Sequence, residues 1–422
     1  MPFAREIRAP FRLAMEAKRM REGAGRARRK TADVTDSYTL GPARIAFGDG
    51  TAREARVRIE RGRIAAILDP HGPSDLEVAP EMTIAPGMID VHTNGAEDVL
   101  FNRDQGSAVE VAARSYVKQG VTGFVAGIIT APWESMLHAA SEICESANQL
   151  EEQGGIGARC LGIHFEGRFL NPKFRRVHRG DWVLRPTVER AREMIDASHG
   201  ALVMVTLAPE IEGAEEVARY LFDQGIVCAA GHTAAKYREG MLAIGLGFRT
   251  LTHAFNAMPP LDHRDPSLLV AFMQEARTTI QLICDGYHVA PPMVDLLYRT
   301  VGERLVLATD NMPPVGTGYR IDGGVVRSED GTIAGSALRC DQAVRNLMSY
   351  ADLSFERAII NASAAPARLL GLERELGTIA EGMRADFAVW DEELRVVATV
   401  VGGTPVYGAV HLHQRGTAGI GG

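Results

Sequence analysis

The spacing of apolar and polar positions changes character twice along the chain. From Tyr38 to Leu68 the apolar runs are short, alternate with charged residues and stop at turn signals: "ARIAFGDG", then "VRIERGRIAAIL", with Asp49-Gly50 and Arg61-Gly62 at the breaks. That spacing predicts antiparallel strands. The same texture returns in "LGTIAEGMRADFAVWDEELRVVATVVGGTPVY", where Gly382 and Gly402-Gly403 mark turns. Residues 37–86 and 376–422 are therefore expected to form one small β-sandwich built from both ends of the chain, with Trp390 in its core.

Between the ends, short apolar runs alternate with longer amphipathic stretches, the pattern of β/α units around a parallel sheet. The runs are "TIAPGMIDV", "VTGFVAGII", "RCLGIHFE", "ALVMVTLA", "GIVCAAGH", "RTLTHAFN", "TIQLICDG" and "RLVLATD". Eight of them, with room for a helix between most neighbours, predict an α/β fold of the (β/α)8 TIM-barrel kind over residues 87–375 rather than an open doubly wound sheet. No GxGxxG follows the first run, so a dinucleotide-binding fold has no support.

Charge and composition then narrow the function class. The 422 residues carry 46 Lys and Arg against 53 Asp and Glu, a formal charge of -7. Such a surface has no global basic character to recruit nucleic acid or an anionic membrane, so a small-molecule substrate is expected. No apolar stretch approaches the roughly 18 residues of a membrane helix. The five cysteines, odd in number and without a CxxC pair, read as buried, reduced thiols of a cytoplasmic protein. Residues 1–36 form a basic tail without a core pattern. Their Glu6, Glu16 and Glu22 argue against a targeting peptide and for a surface helix or disordered segment.

In a barrel, the side chains that act gather at the C-terminal ends of the strands. Here run one ends in Asp90 and His92, run three in His164 and Glu166, run five in His232, run six in His253 and Asn256, run seven in Asp285 and His288, and run eight in Asp310. Taken singly, a strand-end histidine is more often bonded to a neighbouring loop than to a metal. Taken together, a glutamate and several histidines at one mouth form a donor set suited to zinc or a similar divalent ion. Asp310 adds a carboxylate that can take a proton from a water and pass it to a leaving group.

The segments "PGMIDVHTNG", "GIHFEGRFLNP", "VTLAPE", "GHTAAKYREG", "THAFNAMPPLDHRDP", "ICDGYHV", "LATD" and "GSAL" stand in the order found in N-acetylglucosamine-6-phosphate deacetylases of the amidohydrolase superfamily, and the chain resembles that family from residue 38 to residue 405. The resemblance implies a metal-bearing barrel with a small β-sandwich. It also implies one divalent ion per subunit, zinc first with iron or manganese able to share the ligands, and hydrolysis of N-acetylglucosamine-6-phosphate to glucosamine-6-phosphate and acetate. Glu166, His232 and His253 match the metal ligands, Asp310 the general base and acid, and His178 the histidine that polarises the amide carbonyl. Asn256 and Ala257 match sugar contacts. His288 and Arg264 match the grip on the 6-phosphate, with Arg264 crossing from the neighbouring subunit of a homodimer.

Two departures stand out. Amidohydrolases often carry His-x-His on the first strand, whereas this chain reads His92-Thr93-Asn94, which favours a single ion and leaves His92 and Asn94 a secondary role. Arg168 stands close after Glu166, where family members usually have proline. It reads either as an outward side chain covering the loop or as an additional anion contact, and Arg175 and Arg176 near His178 thicken the positive charge. An anion contact would favour another anionic N-acyl or ring-amine substrate, deacylated or deaminated on the same scaffold. A barrel serving only as a partner-binding module is disfavoured by the complete ligand set and base.

Overall fold

The computed structural model describes residues 37–314, 316–409 and 412–414, and the basic tail 1–36 lies outside them. The chain opens with β1 Ser37–Ala46, β2 Ala52–Glu60, β3 Arg63–Leu68, the short β4 Leu76–Glu77, and β5 Thr83–Pro86. β6 Met88–Thr93 then enters the barrel and is followed by a small hairpin, β7 Gly95–Ala96 with β8 Val99–Leu100. The other barrel strands are β9 Val121–Ile129, β10 Arg159–Glu166, β11 Leu202–Leu207, β12 Val227–Ala230, β13 Phe248–Leu251, β14 Thr279–Leu282 and β15 Leu305–Leu307. A three-stranded flap follows, made of β16 Arg320–Asp322, β17 Val325–Arg327 and β18 Ile333–Ser336. β19 Phe387–Trp390, β20 Val396–Val401, β21 Thr404–Tyr407 and β22 His413–Gln414 return to the first sheet.

That first sheet has nine strands in the order β21-β20-β19-β5-β1-β2-β3, with β4 and β22 paired beside β1, so the two ends of the chain meet where β19 pairs antiparallel with β5. Alternation along β19 explains how this sheet also serves the barrel. Phe387 and Val389 join Val57, Ile59 and Ile84 in the sheet's own core, whereas Ala388 and Trp390 join the barrel's core. Trp390 is thus not in the sandwich core that its sequence context suggests. It lies on the opposite face from Phe387 and packs edge-on against Phe355, 5.1 Å between ring centroids. The buried ion pair between Arg159 at the start of β10 and Asp386 just before β19 ties the two layers together.

Each of the eight apolar runs supplies a parallel strand, the first only through its second half because Thr83–Pro86 is β5, and these strands neighbour one another in sequence order, β6-β9-β10-β11-β12-β13-β14-β15. A helix follows each, from Phe101–Tyr116 after β6 to Cys340–Ala351 after the last strand and its flap. The apolar stripe of each helix faces the strands. In Ala214–Asp223, for example, Ala214, Val217, Ala218 and Leu221 are buried, the spacing of one helical face.

β15 and β6 share no regular ladder, and the barrel closes instead at its C-terminal mouth. The Asp310 N–H donates to the His92 carbonyl at 2.8 Å, and the Asn94 N–H to the Asn311 carbonyl at 2.9 Å. Beside them the buried Asp90 carboxylate accepts the Thr309 hydroxyl at 2.6 Å and the Thr309 N–H at 3.3 Å. Burial pushes the Asp90 pKa up to about 6 despite these bonds. Thr309→Val removes the hydroxyl and leaves a buried carboxylate oxygen without its partner, at a cost of about 1–3 kcal/mol. Urea unfolding should show that loss as a lower midpoint at constant slope, and an unmoved midpoint would mean that the pair does not help to close the barrel.

Candidate active site

β10 ends on Glu166, and the chain leaves the strand at once. Gly167 has a φ of +147°, and a side-chain carbon there would fall 2.1 Å from the Thr130 hydroxyl, so only glycine fits. Three further strand-end residues hold left-handed backbone without being glycine: His232 and Asp310 at a φ of 47° and His253 at 30°. Each such residue costs roughly 1–3 kcal/mol and persists only where its surroundings enforce it. Their concentration at one mouth points to a site.

The side chains of these residues converge. His253 Nε2 lies 3.0 Å and His232 Nε2 3.5 Å from Glu166 Oε1, and the two Nε2 atoms are 3.1 Å apart. His232 Nδ1 is 2.9 Å from the Phe174 carbonyl, which can only accept, so Nδ1 carries the hydrogen and Nε2 presents a lone pair. Glu166 Oε1 is buried and, close as the two imidazoles are, takes part in no well-formed hydrogen bond. Lone pairs facing one another in a buried pocket repel, and a cation among them is the arrangement that removes the repulsion. Glu166, His232 and His253 therefore form a group whose chemistry fits a metal ion.

A second group shares the same glutamate. His92 Nε2 lies 3.0 Å from Glu166 Oε2 and 3.5 Å from Asp310 Oδ1, while its Nδ1 faces Gln281 Oε1 at 3.3 Å. Burial would lower the pKa of this ring, but the Glu166 and Asp310 carboxylates outweigh it and raise the value to about 9. Burial likewise works against the ionised Glu166, yet His92 and the neighbouring imidazoles hold its carboxyl well below the usual range. Asp310 goes the other way, raised by burial. His178, its ring edge-on to His232 at 4.7 Å, is held down at about 3 by burial and by His232.

A cavity of about 710 Å³ opens over this group. Glu166, His178, His232, His253 and Asp310 line it, together with Asn94, Asn256, Ala257 and His288. Asn94 Nδ2 donates to Asp310 Oδ1 at 2.7 Å, and His288 Nδ1 lies 2.6 Å from Asp285 Oδ2. Arg264 stands outside the lining, on an exposed loop where its N–H bonds Asp262. The sequence reading passed over Tyr319, Arg327 and the turn at Gly331, which the flap brings to the cavity wall. Their signal was present in "YRIDGGVVRSEDGTIAGSAL", where two glycine turns break short alternating runs.

The model of the amidohydrolase family matches residues 83–406. The chain is an amidohydrolase. It is 30% identical over 379 residues to the N-acetylglucosamine-6-phosphate deacetylase of Vibrio furnissii, covering 87% of this chain and 94% of that one. It is 32% identical over 370 residues to the N-acetylgalactosamine-6-phosphate deacetylase of Escherichia coli O157:H7, covering 85% and 97%. The structure of a mutant N-acetyl-D-glucosamine-6-phosphate deacetylase from Mycobacterium smegmatis, in complex with N-acetyl-D-glucosamine-6-phosphate, superposes with a TM-score of 0.80 at 31% identity, over 88% of this chain and all of that one. The family is metal-dependent, in keeping with the donor group around Glu166.

Arg168 of this amidohydrolase fits neither reading of its sequence. It is buried rather than outward, and it is not part of the cavity lining. Its Nε donates to the Trp182 carbonyl at 2.7 Å and one terminal nitrogen to the Ala131 carbonyl at 2.6 Å, with the guanidinium 5.7 Å from the Trp133 ring centre. The group joins three loops at the mouth. Arg168→Met should lower stability by about 2 kcal/mol, the scale of charge-assisted bonds to backbone, and thermal unfolding measures it. Unchanged stability with weakened binding of anions would restore the anion-contact reading.

Proposed function

We propose that this amidohydrolase removes the acetyl group from an N-acetylated hexosamine 6-phosphate, N-acetylglucosamine-6-phosphate first, giving glucosamine-6-phosphate and acetate. The observation that carries the reading is the convergence of Glu166, His232 and His253 in one cavity with Asp310, in a chain whose relatives are named for that reaction. N-acetylgalactosamine-6-phosphate is the second candidate, since a relative of similar identity is named for it.

The residues divide the work. Glu166, His232 and His253 would hold one divalent ion per subunit, zinc first with iron or manganese suited to the same donors, with His92 behind Glu166 in a supporting role. Such an ion polarises the amide carbonyl and eases the ionisation of water at neutral pH. Asn94 engages Oδ1 of Asp310, so Oδ2 is assigned the proton of the attacking water. The raised pKa of Asp310 suits a group that must keep this proton briefly and then deliver it to the departing nitrogen. His178, neutral at pH 7 because its pKa is held at about 3, donates an N–H to the carbonyl oxygen as charge builds there.

Asn256 and Ala257 contact the sugar, and His288, oriented by Asp285, grips the phosphate. Arg264, exposed and outside its own cavity lining, supplies a second phosphate contact across the interface of a homodimer. The five free cysteines suit the reducing cytoplasm, and no helix among the described residues is long and apolar enough to cross a membrane.

The metal-loaded protein should release acetate from N-acetylglucosamine-6-phosphate with a kcat/KM about 10- to 100-fold above that for the unphosphorylated sugar, the worth of one charge-assisted phosphate contact. Equal rates on the two sugars would remove the phosphate grip from the account. Asp310→Asn, which keeps the shape but not the base, should lower kcat by about 10²–10⁴-fold with the metal content unchanged. A variant that keeps its kcat would place the base elsewhere.

A further inference from the structure

Three arginines line the cavity beyond the residues already assigned a role: Arg176, Arg179 and Arg327. Two of them are occupied. Arg179 pairs with Asp181 at 2.8 Å and lies over the Trp182 ring, 4.7 Å from its centre. Arg327 donates to the Gly331 carbonyl at 3.0 Å and stands 3.5 Å from Asp322. The guanidinium of Arg176 makes no hydrogen bond or ion pair among the described residues.

Its backbone is unusual as well. Arg176 has a φ of 53°, left-handed geometry that glycine adopts without strain and a long side chain does not. The turn is pinned by Arg175, whose guanidinium donates to the His178 carbonyl at 2.6 Å and whose own carbonyl accepts the His178 N–H at 3.0 Å. A free cation is thus held at the cavity wall in a position better suited to glycine.

Topology says which part of a substrate it would meet. Arg176 stands two residues before His178 on the loop after β10, and that loop reaches across the mouth, with the Phe174 carbonyl 2.9 Å from His232 Nδ1 and the His178 ring against that of His232. The scissile amide must lie beside Glu166 and Asp310 with its carbonyl at His178, which brings the acyl side of the substrate to the turn that carries Arg176. With the phosphate at His288, the acyl chain extends toward Arg176.

We propose that Arg176 is a specificity-determining residue for a second anionic group, a carboxylate at the end of an acyl chain longer than acetyl, so that among such longer N-acyl hexosamine phosphates those ending in a carboxylate are preferred over their uncharged isosteres. The proposal rests on the deacylase reading above. The bond broken is the same amide C–N bond: water gives its oxygen to the acyl carbon and a proton to the amine, leaving a dicarboxylate and a hexosamine phosphate.

The test compares N-succinylglucosamine-6-phosphate with its uncharged isostere, N-(4-methylpentanoyl)glucosamine-6-phosphate, on the metal-loaded wild type and on Arg176→Gly and Arg176→Lys. The wild type should favour the succinyl compound by about 10- to 100-fold in kcat/KM, as a charge-assisted contact allows. Arg176→Gly should bring that ratio close to one, and Arg176→Lys should keep part of it. Glycine suits the left-handed turn, so the variant's unfolding temperature should not fall. A ratio that Arg176→Gly leaves unmoved, or a wild type without the preference, overturns the proposal. Calorimetric binding of both compounds separates the two readings if neither is hydrolysed. Tighter binding of the succinyl compound that Arg176→Gly abolishes would then keep the anion contact and sink the deacylase. Equal binding in wild type and variant would sink the anion contact.

Discussion

The hydrogen bond from the Asp310 N–H to the His92 carbonyl is the contact on which the site depends. The last strand that must meet β6 to close the barrel is short, three residues in β15, and β15 and β6 share no regular ladder. Closure therefore falls to a few bonds at the mouth, and these bonds involve the residues that the chemistry needs. They bring Asp310 within reach of His92 and Asn94, and the Asp310 carbonyl accepts the Ser336 N–H at 2.9 Å, which ties in the flap. First strand, last strand, acid and flap share one backbone junction. A shift there would move all four together.

The electrostatics of the mouth make sense only around a function. Two carboxylates and several imidazoles are buried together, and burying charge stabilises a fold poorly even when the charges are paired. The strained backbone at His232, His253 and Asp310 adds to the cost. What maintains the arrangement is the close packing beneath it: Phe165, Val205 and Leu251 on the strands are fully buried. That packing carries the stability, which frees the mouth to hold groups in geometries that repel one another until a cation joins them.

Much of this was legible in the sequence. The eight apolar runs supplied the eight strands in order, because a strand buried between barrel interior and helices must be apolar on both faces. The strand-end polar residues were legible for the same reason, since a carboxylate or imidazole closing such a run has no place in the core. Side-chain partners were not legible. Trp390 lies in a β-rich segment and reads as sandwich core, yet one step of alternation turns it to the barrel. The flap was also missed, because β16 to β18 are only three or four residues long and the turns at Gly323-Gly324 and Gly331 mark it more clearly than any period does.

Arg168 and Arg176 show where sequence reading stops. Both are arginines on the loop after β10, both hold left-handed backbone, and both add to the positive charge that the sequence gathers near the site. The fold separates them: Arg168 is buried with backbone carbonyls as its partners, whereas Arg176 reaches the cavity wall with none. A buried guanidinium held by two backbone carbonyls is already desolvated and fixed in place, so it has less left to offer a ligand. One that meets only solvent keeps all five donors and exchanges water for a carboxylate at small cost. Substrate choice on a shared barrel follows from such differences in the loops, because the strands fix where the reaction happens and leave the rim free to decide which molecule reaches it.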